Sequence, residues 1–133
     1  MAIDDFGVAK ALTDQLLALA PSGLPVVTQG KTGPTGNSRY LRTWVMPASA
    51  NPQDLQTGVR QNGIFQIDVM TPKKNGTWFN LETVGLIKNI FVPAQTYTHN
   101  GQAVKVISVG ASRLQDDGAY WVTYLSVTFV SFG

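Results

Sequence analysis

Cysteine is absent from this 133-residue chain. Its absence removes disulfide frameworks, thiolate metal sites and cysteine nucleophiles together, and leaves the cellular compartment open. Charge is scarce as well: Asp, Glu, Lys and Arg make up 14% of the residues, against about a quarter in an average globular protein. Ten Lys and Arg against eight Asp and Glu leave a net charge of +2, too weak a field for a dedicated nucleic-acid binder. No apolar run approaches the roughly 20 residues a membrane span needs, and Met1-Ala2-Ile3-Asp4-Asp5 lacks the basic start of a signal peptide. The expectation is a soluble, unsecreted protein whose surface, poor in mutually repelling charge, is used against partners.

Chemistry-bearing residues are equally sparse. Histidine and glutamate each occur once, as His99 and Glu82, so neither a nucleophilic triad nor a glycosidase-like carboxylate pair has its parts in sight. Asp4-Asp5 and Asp116-Asp117 are adjacent carboxylates of the kind that cap helices and form turns; a divalent cation is the less favoured reading of either. Gly30-Lys31-Thr32 looks like the end of a phosphate-binding loop, but Pro25 stands where that motif needs its first glycine, and Gly33-Pro34 bars the helix that must follow. The reading is therefore a non-enzyme with no cofactor and no metal.

What is present reads as one α+β domain over 1–133. Phe6, Ala9, Leu12, Leu16 and Leu19 recur at helical spacing behind Asp4 or Asp5 until Pro21-Ser22-Gly23. Val26-Val27-Thr28 suggests a brief strand, Gly30 to Ser38 a loop, and Tyr40 to Met46 a strand closed by Pro47. Ala48 to Thr57 reads as another loop. From Gly63 to Met70 apolar Phe65, Ile67 and Val69 alternate with Gln66 and Asp68 up to Pro72, the clearest strand signal in the chain. After a turn at Lys73-Lys74-Asn75-Gly76, with Asn75 or Thr77 as cap, Trp78, Leu81, Val84, Ile87 and Ile90 predict a second amphipathic helix running out near Pro93. Asn100-Gly101 predicts a tight hairpin between Tyr97-Thr98-His99 and a strand from Ala103 to Val109. Gln115-Asp116-Asp117-Gly118 reads as a turn before a last strand from Tyr120 to Phe132.

That last strand is apolar on both sides: Trp121, Leu125, Val127 and Phe129 on one, Tyr120, Val122, Tyr124, Val130 and Phe132 on the other. Two short helices can cover one face of a sheet and hardly two. Either a sharply curled sheet seals its second side within the subunit, or a neighbouring subunit covers it. The order expected is α-β-β-β-α-β-β, a mixed, mostly antiparallel curled sheet with two helices packed on it.

Several motifs resemble, in order, those of the tail terminator family of lambda-like long-tailed phages. They are Tyr40-Leu41-Arg42-Thr43-Trp44-Val45-Met46-Pro47, Gly63-Ile64-Phe65-Gln66-Ile67-Asp68-Val69 with Pro72, Phe91-Val92-Pro93, Val104-Lys105-Val106, and Asp117-Gly118-Ala119-Tyr120-Trp121-Val122. The resemblance spans roughly Phe6 to Val130, and departs from the family where Val92 separates the aromatic from Pro93. It implies a virion protein, assembled in the host cytoplasm, that forms a homo-oligomeric ring, a hexamer, on the head-proximal end of the tail tube. The ring would halt tube polymerisation and present a joining surface to a neck or head-completion protein. Its subunit contacts are expected at Tyr40, Trp44, Tyr120, Tyr124 and Phe132, since aromatic residues dominate many interfaces. Lys31, Arg39 and Arg42 could touch DNA phosphates in the channel without reading sequence, although solubilising charge on loops is the plainer role. Another neck, head-completion or minor tail connector protein remains the alternative, and a monomeric ligand-binding module a more distant one.

Overall fold

Alternation along the final strand organises the molecule. In the computed structural model, which describes residues 5–19, 24–27, 39–54 and 58–132, β7 (Tyr120–Phe132) sits at the centre of a seven-stranded sheet. Its neighbours are β3 (Gly58–Pro72) on one side and β5 (Gln102–Ala111) on the other. Beyond β3 lie β2 (Tyr40–Asp54) and β1 (Val26–Val27); beyond β5 lies β4 (Thr96–His99); β6 (Gln115–Asp117) pairs with the start of β7. Among the described residues only β1 and β2 run parallel, so the sheet is mixed and mostly antiparallel, and it curls into a half-barrel.

Two helices cover one side of it. Helix α1 (Asp5–Leu19) lies against β4 and β5, and α2 (Gly76–Lys88) against β3 and β7. Between them and the sheet, Val8, Leu12, Leu16, Val84, Ile87 and Phe91 meet Leu41, Phe65, Ile67, Val106, Leu125, Val127 and Phe129, all buried. Phe65, Ile67 and Val69 share this face, as their alternation predicted, and Leu125, Val127 and Phe129 join them. Gly63 belongs here too: a Cβ on it would lie 2.5 Å from Cζ of the buried Phe129 and 3.0 Å from the Met46 carbonyl oxygen, so only glycine lets that ring approach.

The hairpin at Asn100-Gly101 has both residues at positive φ, 49° and 82°, and joins β4 to β5 with His99 opposite Gln102, as a type I′ turn requires. Elsewhere the strands outrun the sequence reading. Pro47 does not close β2, and the expected loop from Ala48 is strand as far as Asp54, paired back onto β3 from Gly58 with register shifts at Pro47/Ala50 and Pro52/Asp54. Proline is tolerated because β1 reaches only Leu41 and Arg42; past them β2 is an edge strand, where a missing N–H breaks no ladder. Four strands follow α2, two more than the expected order allowed, because the first arm of the hairpin is a strand in its own right, β4, and Gln115 to Asp117 forms β6. Helix α2 is entered through a 3-10 turn at Lys73–Asn75, is capped by Asn75 without a side-chain hydrogen bond, and stops at Lys88, short of Pro93. The segments 20–23 and 28–38, read as a helix stop and a loop, lie outside the described residues.

Candidate functional site

The side of the sheet away from the helices carries the even-numbered residues of β2, β3 and β7. Register aligns them in rows: Tyr40 with Met70 and Val122, Arg42 with Asp68 and Tyr124, Trp44 with Gln66 and Ser126, Met46 with Ile64 and Thr128. Curl divides this face into a sealed end and an open end.

At the sealed end Tyr40, Met70 and Val122 are buried, with Val27, Tyr120 and Tyr124 half-buried around them. Tyr40 and Tyr120 meet edge to face, 5.5 Å between ring centroids at 84°, an arrangement the ring quadrupoles favour. Burial pushes the Tyr40 hydroxyl above its ordinary pKa, with nearby Arg42 pulling the other way.

The middle row holds a carboxylate. Asp68 is almost completely buried, which a charge tolerates only with partners around it. Arg42 Nη2 donates to Asp68 Oδ2 at 3.1 Å, the Trp44 indole Nε1 to the same oxygen at 3.4 Å, and Gln66 Nε2 to Oδ1 at 2.7 Å. The Arg42 side chain is one-third exposed, although its Nε is buried and has no hydrogen-bond partner among the described residues.

Next comes the open end. Trp44, Met46 and Ile64 are exposed side by side, Trp44 by 37%. Pinned through its nitrogen to Asp68, the Trp44 indole presents a rigid apolar surface that costs little entropy to immobilise.

The sequence candidates are thus distributed unevenly. Trp44 is open to solvent, Tyr120 and Tyr124 are half-buried, and Tyr40 is buried against its own chain. Phe132 ends β7 with its Cα opposite Arg60 and Ala103. Lys31 lies outside the described residues. Arg39 and Arg42 do not cluster: Arg39 reaches under α2, donating to Thr83 Oγ1 at 3.0 Å with its guanidinium 4.9 Å from the Phe79 ring centroid, whereas Arg42 serves the other face. His99 Nδ1 stands 3.6 Å from Asp14 Oδ2. Asp116 is ion-paired with Lys73, Asp5 opens α1, and Asp4 lies outside the described residues. Among the described residues no group of three or more potential ligands gathers at a metal site, and no helix is long and apolar enough to cross a membrane.

Met46 and Ile64 were missed as site residues. Their signal was present, because Ile64, like Met70, is an apolar residue out of phase with Phe65, Ile67 and Val69 in an otherwise alternating strand. A larger surprise is α2, whose hydrophobic stripe was expected to face the core. Val84, Ile87 and Ile90 of that stripe are buried as expected, but they share the buried side with Asn80 and Thr83, while Trp78 is 83% exposed, Leu81 51% and Leu86 44%. Asn80 explains the turn of the helix. Its Nδ2 donates to the carbonyls of Val69 (3.1 Å) and Trp121 (3.1 Å) and to Thr71 Oγ1 (3.0 Å), and its Oδ1 accepts from Thr123 Oγ1 at 2.6 Å. Two carbonyls at one end of the amide fix which end is the amino group.

Comparison with known proteins agrees with this architecture. The family model described as phage tail terminator protein matches residues 7–129. A solved structure at 24% identity, covering 99% of this chain and 98% of its own, superposes with a TM-score of 0.79 and shares the fold. No curated protein matches the chain.

Proposed function

The chain belongs to the phage tail terminator family, and from that premise we propose that it forms a homo-oligomeric ring, a hexamer, on the head-proximal end of the tail tube of a long-tailed phage. Membership makes it a structural component of the virion tail. In the proposed role the ring stops tube polymerisation and offers its other rim to a neck or head-completion protein. No catalytic step is involved, and contact with DNA in the channel is non-specific.

The observation that carries this reading is the open end of the outer sheet face. Trp44, Met46 and Ile64 leave a contiguous apolar surface uncovered, beside a sealed end that shows the same sheet can bury its outer residues when it has the means. A patch of this kind, bordered on its β7 side by polar Gln66, Ser126 and Thr128, has the apolar centre and polar margin of an interface. Assembly supplies what two helices cannot, and head-to-tail contacts close into a ring when the rotation between neighbours is right.

The test is tube growth. Purified tail tube protein is allowed to polymerise with and without this protein, and length is followed by light scattering and negative-stain images. Growth stops, and rings cap one tube end, if the proposal holds. Met46→Asp abolishes capping while leaving the thermal transition within a few degrees, because Met46 is 45% exposed and a charge there is desolvated only on association. Uncapped tubes of unaltered length with the native chain would remove the proposed function.

A further inference from the structure

Exposed apolar residues on α2 form a second surface, on the opposite side of the subunit from Trp44. Trp78, Leu81, Glu82 and Gly85 follow one another at helical spacing on the solvent side, with Leu86 beside them. A tryptophan that is 83% exposed contributes almost nothing to its own fold, so packing within the subunit does not account for it.

Gly85 points the same way independently. Glycine in a helix interior is about 1 kcal/mol worse than alanine, and a Cβ built on Gly85 would meet nothing within 4 Å. Neither a positive φ nor a close approach inside the subunit calls for glycine there. It leaves a notch between Leu81 and Leu86 that a side chain from outside can enter.

Charge complements shape. Glu82, the chain's only glutamate, stands exposed on the ridge. Across the molecule, the open sheet face carries Arg42, its side chain one-third exposed beside Trp44.

We propose that the α2 ridge of one subunit, Trp78, Leu81 and Leu86 around the Gly85 notch, packs on the Trp44, Met46 and Ile64 face of the next copy, with Glu82 approaching that copy's Arg42. The proposal rests on the ring reading and specifies its contact. Two unlike faces on opposite sides of one subunit make a heterologous, head-to-tail interface, the kind that generates rings. A self-complementary contact would use one of the faces twice and leave the other bare.

The absence of cysteine makes the test clean. Thr128→Cys, beside Ile64 on the sheet face, and Lys88→Cys, exposed at the end of the α2 ridge, leave both tryptophans in place; the two chains, one carrying a mass tag, are mixed and treated with a short bis-maleimide. Mixed-chain dimers exceeding either homodimer at least tenfold are the expected result. Homodimers of Thr128→Cys alone, or of Lys88→Cys alone, would show a face meeting itself and overturn the pairing. In parallel, light scattering follows the unaltered chain with and without tail tubes. Association there without mixed-chain cross-links overturns the pairing and leaves the ring standing; no association under either condition removes both.

Discussion

Replacing Asn80 with alanine tests whether a buried amide, rather than an apolar stripe, sets the rotation of α2. The Asn80 amino group has two hydrogens and three acceptors within 3.1 Å, so one bond is shared, and the carbonyl end accepts a fourth from Thr123. That amounts to about three full hydrogen bonds, each contributing about 1 kcal/mol net. Two of the acceptors are strand carbonyls already in the ladder, so their second lone pairs lose little. The Thr123 hydroxyl is different, being buried and left with no place for its proton, at a cost of about 1–3 kcal/mol. The expected loss for Asn80→Ala is about 4 kcal/mol, a large share of the 5–15 kcal/mol that a domain of ordinary stability has to lose. Urea unfolding at a concentration where the chain is monomeric reads it directly, provided the m-value is unchanged. Adding Thr123→Val supplies the control: it removes the orphaned hydroxyl, so its cost should be smaller in the alanine background by about 1–2 kcal/mol. A loss below about 1 kcal/mol, or strict additivity of the two changes, would refute the account of α2.

Three further outcomes are expected. Gly63→Ala loses about 1–3 kcal/mol in the same unfolding measurement, as overpacking does, because the new methyl lies within 3.0 Å of both the Phe129 ring and a backbone carbonyl; a neutral result would show that Phe129 has room to swing. Asp68→Ala costs about 2 kcal/mol, less than the roughly 3–5 of a fully buried pair because Arg42 keeps contact with water, and it frees the Trp44 indole, seen as increased mobility of its ring in NMR or fluorescence anisotropy. Tyr40, its pKa raised chiefly by burial, gives a stability component that is whole below its unfolded pKa near 10.0 and is lost as pH climbs from there through the folded-state value. Tyr40→Phe therefore flattens the alkaline side of the urea-midpoint profile, and an unchanged alkaline decline would refute that assignment.

Much of this architecture was legible in the sequence because several signals agreed on it. Alternation located β3, Asn100-Gly101 fixed a hairpin through backbone conformation alone, and the two-sided apolar pattern of β7 marked a central strand. Errors came where one residue carried two meanings. Pro47 signals a strand end in isolation, yet on an edge strand it interrupts nothing, and edge status is a property of the neighbours. Counting apolar residues placed Val84, Ile87 and Ile90 rightly in the core but Trp78 and Leu81 wrongly, because a fully bonded asparagine is as comfortable in a core as valine. The outer face was read as apolar, and its division into sealed and open ends depends on curl, which is set by the whole sheet. Arg39 and Arg42, close in sequence, serve opposite faces for the same reason that alternate strand residues do.

The place of β7 in the sheet has a bearing on synthesis. The β1-β2-β3 half and the β4-β5 half of the sheet meet only through this strand, and the ribosome makes it after both. Until Tyr120 to Phe132 have emerged, a nascent copy holds two sheet fragments with no shared ladder of hydrogen bonds, and α2 lacks the Trp121 carbonyl that Asn80 bonds. A chain stopped before Tyr120 consequently lacks the strand that holds the outer rows of β2 and β3 together with Tyr124, Ser126 and Thr128.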